Sequence, residues 1–376
     1  MKNKIQNIII SVSFLAVLIF FAIGGIIAPD KEISYSERRK LASFPEFAIE
    51  KLLKKDSSGN GYFDSMEKYL LDHFLSRDEF RTLNVSFKKY GFMQKDIGGI
   101  YVLGDRIFKM DHVLNEKAVE RSADVYLKVI EKYFSDNGAN IYYTVLPDKN
   151  YYSAKKNGYP ALDYGKMFDI MNEKLSGYSY IDITNLLSED DYYRTDLHWE
   201  QQKITDVADA LLSAMGEAGN IDIADYEEKI FNVFEGAYYG QAALPIEPDK
   251  LSYLTNSVLE NCKIFDYEYN KYVPMYAEEK LGGVDSYDVF LHGARALMTI
   301  ENPSAENEKE LVIFRDSFGS SLAPLLAGEY SKITLIDIRY VSSANIGRFI
   351  KFSENCDVLF MYNTGTLNTL GQGSIS

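Results

Sequence analysis

The run Ala139-Asn140-Ile141-Tyr142-Tyr143-Thr144-Val145-Leu146 is apolar or β-branched along nearly its whole length. A strand with one solvated face alternates apolar and polar residues, so a continuous run is typical of a strand covered on both faces. Turn-forming residues bound the run, with Asn137-Gly138 before it and Pro147-Asp148-Lys149-Asn150 after it. The run therefore predicts a strand inside a parallel sheet.

Helical and strand-like patterns alternate on both sides of this run. Apolar residues recur at helical spacing in three stretches, at about residues 115–134, 164–175 and 204–215. Short apolar runs that are typical of strands lie at residues 98–103, 178–183, 311–314, 333–338 and 357–362, and a short helical pattern lies at 320–327. Because such alternation indicates layered sheets and helices, we predict an α/β fold with a three-layer α/β/α core.

Two regions depart from this alternation. Residues 62–90 carry a helical pattern that we expect to form the first packed element. Residues 226–303 are rich in Tyr, Phe and Gly and suggest short strands and turns rather than helices. We predict that they form a mixed, β-rich insertion that lies over the sheet. The predicted organisation is a cytoplasmic tip and anchor at 1–30, a stalk at 31–60, and one domain at 61–376 that carries the insertion.

The N-terminus has the pattern of a membrane anchor. Two lysines precede residues 8–27, which run from Ile8 to Ile27 without a charged residue. About 20 apolar residues in a helix span the hydrocarbon core of a bilayer. A cleaved signal peptide is the alternative, since Gly24-Gly25 has the small residues of a cleavage site, but its apolar region is usually shorter. We predict a single-pass, uncleaved anchor in the cell membrane, with the lysines in the cytoplasm and the bulk of the chain extracytoplasmic.

Composition argues against several classes of function. The 376 residues carry 40 basic and 55 acidic side chains, a formal net charge of −15, without a basic cluster that would bind nucleic acid. The 29 tyrosines suit either a sugar-binding surface or a protein core. Cys262 and Cys356 are too few for a disulfide scaffold, so we expect two buried free thiols rather than a bridge. No residues have metal-ligand spacing, and we predict neither a metal nor a cofactor.

Ser317 is the candidate nucleophile. It follows the apolar run at 311–314 and precedes the helical pattern at 320–327, so it lies in a turn from strand to helix. Such a turn exposes the hydroxyl above the sheet and places backbone N–H groups nearby. A serine needs a base before it attacks, so an imidazole must lie within hydrogen-bond reach. The alternative is structural, with Ser317 or Asp316 capping the helix.

Asp196 and His198 are the candidate acid and base. They lie two residues apart in a turn, which would let the Asp196 carboxylate bind Nδ1 of His198 and leave Nε2 for the serine. In an α/β sheet, ligands bind at the carboxyl ends of the strands, where both turns are expected. The alternative makes Asp196 a helix cap and His198 a first-turn residue above Trp199. We favour a Ser-His-Asp triad that two distant turns complete.

Several motifs resemble those of a known bacterial family. Thr195-Asp196-Leu197-His198-Trp199 resembles the Thr-Asp-x-His-Trp motif of the DHHW family, which is related to the SGNH-like alginate O-acetylation proteins. Leu311-Val312-Ile313-Phe314-Arg315-Asp316-Ser317-Phe318-Gly319 resembles the nucleophile block of these proteins. A similar Asp-x-Arg-Tyr motif and two weaker matches lie at Asp337-Ile338-Arg339-Tyr340, Glu37-Arg38-Arg39-Lys40-Leu41 and Pro147-Asp148-Lys149.

The resemblance implies an SGNH-hydrolase-like core with a permuted motif order, because Asp196 and His198 precede Ser317 in the chain. It implies that Ser317 is the nucleophile, His198 the general base and Asp196 the acid that orients it. The chain departs from the family pattern at two positions. Leu197 replaces a second histidine, so this position is not expected to be catalytic, and Arg315 replaces the glycine before Asp-Ser.

The function implied by the resemblance is O-acyl transfer, most simply of acetyl, to a cell-surface polysaccharide or exopolysaccharide. It also implies a multipass membrane acyltransferase as the partner that supplies the acyl group. The tyrosine-rich insertion is the candidate sugar surface. An extracytoplasmic carbohydrate esterase and a non-catalytic polysaccharide-binding or assembly protein stay open as alternatives, because water exclusion decides between transfer and hydrolysis.

Three further residues are candidates for the oxyanion site or the substrate site. Besides the backbone N–H of the nucleophile, the side-chain amide of Asn363 follows the last predicted strand and could stabilise an oxyanion. Arg339 and Tyr340 are candidates for substrate binding. Arg339 has an alternative role as the ion-pair partner of Asp337 or Glu329.

Overall fold

The computed structural model describes residues 2–47, 49, 61–219 and 221–370. Its α-helices are α1 (Lys2–Ile27), α2 (Tyr62–Asp72), α3 (Arg77–Ser86), α4 (Glu116–Tyr133), α5 (Lys149–Ser153), α6 (Tyr164–Lys174), α7 (Thr205–Ala214), α8 (Tyr239–Ala242), α9 (Ser257–Asn261), α10 (Phe318–Leu326) and α11 (Thr364–Thr369). Its strands are β1 (Ile33–Ser34), β2 (Arg39–Lys40), β3 (Asp96–Ile97), β4 (Ile100–Leu103), β5 (Arg106–Lys109), β6 (Asn140–Leu146), β7 (Ser179–Tyr180), β8 (Glu227–Phe234), β9 (Asp249–Thr255), β10 (Lys263–Asp266), β11 (Lys271–Val273), β12 (Leu297–Glu301), β13 (Glu310–Arg315), β14 (Lys332–Ile336) and β15 (Asp357–Asn363).

The chain divides into two compact units. The N-terminal unit comprises Met1–Ile97 and Tyr239–Ile246, and the sheet unit comprises Gly98–Tyr238 and Glu247–Ser376. Much of the predicted stalk, residues 48 and 50–60, lies outside the described residues. The domain limits at residues 30 and 60 therefore stay a prediction.

A mixed sheet forms the centre of the sheet unit. Its strands follow the order β11-β10-β12-β14-β13-β15-β6-β7. The strands from β14 to β7 pair in parallel, whereas β12, β10 and β11 pair antiparallel. Parallel neighbours need crossover connections, which the helices between the strands provide. The predicted α/β class is confirmed, with a large mixed sheet.

Alternate residues of β13 face two separate hydrophobic cores. Leu311 and Ile313 pack in one core, together with residues of α7 and α10. Val312 and Phe314 pack in the other core, together with residues of α4 and α6. All residues of β13 and β15 are buried. A strand that is buried on both faces requires an unbroken apolar run, which is the pattern that predicted this sheet.

The insertion predicted at residues 226–303 does more than lie over the sheet, which corrects the prediction. Its strands β10, β11 and β12 extend the central sheet, because β12 pairs with β14 from Leu297 opposite Ile336 to Glu301 opposite Lys332. Strands β8 and β9 form a separate antiparallel pair. Local patterns identify strands, but the partner of a strand depends on burial against distant residues.

Two helices, α2 and α3, replace the single helix predicted at residues 62–90. α2 ends at Asp72, α3 begins at Arg77, and Ser76 between them has a φ of 56°. A non-glycine residue in this left-handed conformation interrupts a right-handed helix. A π-helical turn, Phe87–Gly91, then extends α3.

Two predicted elements of the sheet unit are shorter than expected. Of the strand predicted at residues 178–183, Ser179 and Tyr180 pair with β6. The helix expected directly behind His198 begins later, at α7, after the 3₁₀ turn Gln201–Lys203.

The first helix, α1, is long and apolar enough to cross a membrane. The apolar span Lys4–Gly25 covers 22 residues, and none of it is buried within the protein. This length exceeds the roughly 20 residues that a bilayer core requires. The predicted N-terminal helix that can span a membrane is confirmed by its length and composition. Its orientation in the membrane stays a prediction.

Candidate active site

Ser317 lies at the carboxyl end of the sheet, just after strand β13. β13 ends at Arg315 and α10 begins at Phe318, so Asp316 and Ser317 form the turn between them. Asp316 caps the helix, since its Oδ1 accepts the Phe318 N–H at 3.1 Å, and its Oδ2 accepts the Asn363 N–H at 2.8 Å. The Ser317 side chain makes no capping bond. Its hydroxyl is therefore available to another partner.

A tight loop between Tyr192 and Trp199 holds Asp196 and His198. The two flanking residues pair as an antiparallel bridge, and the Tyr193 N–H donates to the His198 carbonyl at 3.0 Å. This pairing closes the loop and fixes its backbone, so Asp196 and His198 project from a defined position. The loop leads first into a 3₁₀ turn, so Asp196 is not the cap of a helix that contains His198.

Three side chains form one hydrogen-bonded line. Nδ1 of His198 lies 2.6 Å from Oδ1 of Asp196, and Nε2 of His198 lies 2.7 Å from Oγ of Ser317. An ionised carboxylate only accepts hydrogen bonds, so the neutral imidazole carries its proton on Nδ1, and Nε2 accepts the Ser317 hydroxyl proton. The structure thus brings together the three candidate catalytic side chains, although the imidazole and the hydroxyl are 119 residues apart in sequence.

The Asp196 carboxylate is enclosed and held by N–H donors. Asp196 is fully buried and His198 is 5% exposed. Oδ1 of Asp196 also accepts the His198 N–H at 3.0 Å, and Oδ2 accepts the Ala237 N–H at 2.6 Å. A buried carboxylate is tolerated when hydrogen bonds replace its hydration. These donors therefore fix the carboxylate in the position from which it orients the imidazole.

Aromatic rings pack against the imidazole. The Tyr287 ring stacks on His198 at 3.8 Å with an interplanar angle of 6°, and Phe318 lies at 4.9 Å in a tilted arrangement. Ser321 Oγ accepts the Tyr287 hydroxyl at 2.8 Å and Trp199 Nε1 at 2.9 Å. Burial raises the pKa of Tyr287 well above its usual value, so this hydroxyl stays protonated. Sequence reasoning missed Tyr287, whose only signal was the tyrosine content of the insertion.

A buried carboxylate, Asp249, holds the backbone just before Asp196. Its Oδ2 accepts the N–H and the hydroxyl of Thr195 at 2.7 and 2.6 Å. Its Oδ1 accepts the N–H and the Nε–H of Arg194 at 3.1 and 3.0 Å. Gly236 lies so close that a Cβ atom on it would be 2.3 Å from the Thr195 carbonyl carbon. No local motif identified Asp249 or Gly236, because their role depends on approach from a distant part of the chain.

Lys149, the first residue of α5, supports the same loop from about 45 residues earlier in the chain. Its Nζ donates to the carbonyls of Tyr193 and Arg194 at 3.1 and 3.2 Å, and the side chain is 2% exposed. The ammonium also lies 5.0 Å from the ring centre of Phe108 and 5.3 Å from that of Tyr238. Burial lowers the pKa of Lys149 to about 7, although the nearby carboxylates oppose this change. The weak Pro147-Asp148-Lys149 match was the signal for this residue.

Arg315, which stands where the family has glycine, ends β13 directly before the turn that carries Ser317. It is 1% exposed, and its Nη1 donates to Ser320 Oγ at 2.8 Å and to the Asp316 carbonyl at 3.3 Å. Burial lowers the pKa of the Arg315 guanidinium. Gly319 leaves room for the Arg315 side chain, since a Cβ atom at position 319 would be 2.6 Å from Cβ of Arg315. The departure from the family pattern is therefore accommodated four residues later.

Asn363, Arg339 and Tyr340 hold other positions near this end of the sheet. Asn363 caps α11 through Oδ1, which accepts the Gly365 N–H at 2.9 Å, and its Nδ2 donates to the Leu146 carbonyl at 3.2 Å. Arg339 pairs with Asp337, with Nη2 at 2.6 Å, which was its alternative role. Tyr340 is 57% exposed, 5.4 Å from the Arg339 guanidinium. Within the described residues, no hydrogen bond joins these three side chains to Ser317 or His198.

The Ser317 backbone N–H is available as a candidate oxyanion donor. In the part of the chain that the structure describes, this N–H has no hydrogen-bond acceptor. It belongs to the N-terminus of the nine-residue helix α10, where backbone dipoles favour negative charge. The described residues contain no group of three His, Cys, Asp or Glu side chains that could hold a metal ion. Cys262 and Cys356 are buried free thiols.

A model of the DHHW protein family matches residues 148–336, just over half of the chain. The matched region contains both the loop with Asp196 and His198 and the turn with Ser317. Among curated proteins, none matches this sequence. The family resemblance predicted from the motifs is confirmed.

Solved structures share the fold at low sequence identity. A DHHW family protein from Eubacterium siraeum is 20% identical with a TM-score of 0.60, and the match covers 72% of this chain and 93% of that chain. Bacillus cereus PatB1 is 17% identical with a TM-score of 0.58, covering 73% and 98%. A second PatB1 structure, with a sulfonyl adduct, is 16% identical with a TM-score of 0.56, also covering 73% and 98%.

Proposed function

The chain belongs to the DHHW family, and we propose that it is an O-acyltransferase that moves an acyl group, most simply acetyl, onto a hydroxyl of a cell-surface polysaccharide or exopolysaccharide. One observation carries this proposal: Asp196, His198 and Ser317 form a continuous hydrogen-bonded line, with contacts of 2.6 and 2.7 Å. A serine with an oriented imidazole and a buried acid is the arrangement that activates a hydroxyl for acyl transfer.

In the first half-reaction, Ser317 takes the acyl group from its donor. Nε2 of His198 accepts the hydroxyl proton as Oγ attacks the carbonyl carbon, and the Asp196 carboxylate stabilises the imidazolium that forms. The Ser317 N–H stabilises the oxyanion of the tetrahedral intermediate. As the intermediate collapses, His198 returns the proton to the leaving group. The product is an acyl ester on Ser317.

In the second half-reaction, a sugar hydroxyl replaces the serine as the acyl acceptor. Nε2 of His198 takes the proton of the sugar hydroxyl while the sugar oxygen attacks the carbonyl carbon of the ester. His198 then gives the proton to Oγ of Ser317 as the bond between the acyl carbon and Oγ breaks. The stacked Tyr287 ring holds the imidazole in place during both transfers. Asn363, Arg339 and Tyr340 remain the proposed residues for the oxyanion and the substrate.

The proposed setting is the outer face of the cell membrane. The apolar helix α1 would anchor the chain by a single pass, with the bulk of the protein extracytoplasmic. Acyl-coenzyme A is not expected outside the cell, so a multipass membrane acyltransferase would supply the acyl group, as the motif resemblance implies. The proposed fold is a three-layer SGNH-like core in which the acid and base precede the nucleophile.

The test uses the full-length chain in detergent with 4-nitrophenyl acetate as donor, with and without an oligosaccharide acceptor. Ser317→Ala is compared with Ser213→Ala, a matched change at an exposed serine on α7. We expect acetyl on the sugar with wild type and Ser213→Ala, and a loss on the order of 10⁴-fold or more with Ser317→Ala. Equal acetylation by Ser317→Ala would refute the proposal.

A sulfonyl fluoride reagent provides a second readout that is independent of the acceptor. We expect covalent sulfonylation of wild type and Ser213→Ala, detected by intact mass, and none of Ser317→Ala. Release of acetate to water without any acetylated sugar would favour the esterase. Sugar binding without sulfonylation or donor turnover would favour a non-catalytic binding protein.

A further inference from the structure

An exposed apolar stripe runs along α3 and the π-helical turn that follows it. Phe80, Leu83, Phe87 and Tyr90 are spaced three, four and three residues apart, so they share one face of the helix. Their exposed fractions are 44%, 62%, 61% and 66%. Large apolar side chains are common on protein surfaces one at a time, but a continuous row of them marks an interaction surface.

The other side of α3 is already occupied by polar contacts within the N-terminal unit. Arg77 donates to Glu37 at 3.0 and 2.9 Å, and Arg81 binds Glu37 at 2.8 Å and the Gly240 carbonyl at 2.7 Å. Val85 on this side is buried. Glu37 belongs to the weak Glu37-Arg38-Arg39-Lys40-Leu41 match. These contacts fix the rotation of α3, so the apolar stripe lies on the opposite side of the helix from them.

The end of the candidate membrane span packs against the start of this stripe. Phe21 of α1 stacks on Phe74 at 5.2 Å and lies 5.7 Å from Phe80. Leu75 packs into the notch at Gly24, where a Cβ atom would be 2.6 Å from its Cδ2. Phe21 lies four residues before the end of the span at Gly25, so at 1.5 Å per residue it is about 6 Å inside that end.

We propose that this stripe lies in the lipid bilayer interface, in the leaflet at the C-terminal end of α1. A ring that contacts Phe21 must lie at the same depth, and interfacial helices bury their apolar face about 5–10 Å into the headgroup and acyl boundary. Phe80 contacts Phe21, and the other residues of the stripe, up to Tyr90, lie on the same face of the helix as Phe80. Lys88 and Lys89 lie between Phe87 and Tyr90 on a different face of the helix, and the long stems of lysines let their ammonium groups reach the headgroups.

This inference rests on the anchoring proposed for α1, and its test must separate the two. A nitroxide label is attached to Leu83→Cys on the stripe, to Asn84→Cys at the exposed neighbouring position off the stripe, and to Leu15→Cys within α1. The full-length chain is reconstituted in phosphatidylcholine and phosphatidylglycerol vesicles. Wild type gives the labelling background, because both of its cysteines are buried. Collision of each label with oxygen and with a water-soluble nickel chelate is measured by power-saturation EPR.

We expect oxygen to relax the labels at positions 15 and 83 more than nickel does, and nickel to dominate at position 84. A nickel-dominated label at 83 with an oxygen-dominated label at 15 overturns the interfacial stripe and leaves the anchor intact. A label at 83 that is shielded from both reagents means that a second copy of the chain covers the stripe, which also overturns the inference. A nickel-dominated label at 15 removes the anchor and the stripe together.

Discussion

Replacing Asp249 by asparagine should destabilise the sheet unit and disturb the loop that carries Asp196. One carboxylate oxygen would become an NH₂ group, while four donor groups still point at the side chain. If the NH₂ replaces Oδ2, it meets the N–H and the hydroxyl of Thr195. If it replaces Oδ1, it meets two N–H groups of Arg194. The orientation towards Arg194 loses two hydrogen bonds to a charged acceptor, and the orientation towards Thr195 loses at least the one from its N–H, because the Thr195 hydroxyl can also accept a hydrogen bond.

The expected loss follows from the number and kind of these bonds. A hydrogen bond to a charged group contributes about 1.5–3 kcal/mol, so losing one or two of them lowers the free energy of unfolding by about 1.5–6 kcal/mol. Water cannot replace the lost partner of Thr195, which is fully buried beside Asp249. A domain with a total free energy of unfolding of about 5–15 kcal/mol would lose a large share of its stability.

The single tryptophan makes this loss measurable. Trp199 is fully buried and closes the same loop, so its fluorescence follows unfolding of the site in urea. Glu247→Gln is the matched control, because it makes the same chemical change at an exposed side chain two residues away. The reasoning is refuted if Asp249→Asn, Glu247→Gln and wild type share one urea midpoint.

Two further predictions concern the support of the loop. The folded-state pKa of Lys149, lowered to about 7 from 10.5, means that the unfolded chain binds more protons between these pH values, so the free energy of unfolding rises with pH there. In Lys149→Met the urea midpoint should rise less between pH 7 and 9 than in wild type. An equal dependence of the midpoint on pH in the two proteins contradicts the prediction. Gly236→Ala should cost roughly 10²-fold in acetyl transfer, because the new Cβ displaces Thr195. Gly177→Ala, where a Cβ meets nothing within 4 Å, should transfer normally; equal rates in both variants would be the contrary result.

The centre of the sheet was predictable because its strands are buried on both faces. Burial on both faces demands continuous apolar runs, and residues 311–314 and 357–362 carry such runs. The antiparallel strands β10, β11 and β12 were not predictable as parts of this sheet. Their sequences indicate short strands, but they join the sheet through β12, and the residues of β14 that pair with β12 lie more than thirty positions away. A long insertion and an extension of the sheet look alike along the chain.

In the candidate site, too, features with a local sequence signal were predictable and features that depend on distant residues were not. The Asp196-x-His198 spacing permitted the bond between the carboxylate and Nδ1, since both side chains lie in one loop. The motif resemblance then linked this loop to Ser317. Tyr287 and Asp249 carried no comparable signal, because a stacked ring and a buried acceptor are common in any protein core. Their contribution depends on the three-dimensional approach of β9 and the segment before β12 to the loop.

The packing of Arg315 against Gly319 constrains how this sequence can change. With arginine at 315, any side chain at 319 collides with the aliphatic part of the guanidinium chain, so the glycine is obligatory. With glycine at 315, as in the family pattern, that collision disappears, and a side chain at 319 no longer meets one at 315. The two positions therefore form a steric pair whose substitutions should occur together across homologues. The smaller residue would shift from one site to the other while Ser317 between them stays unchanged.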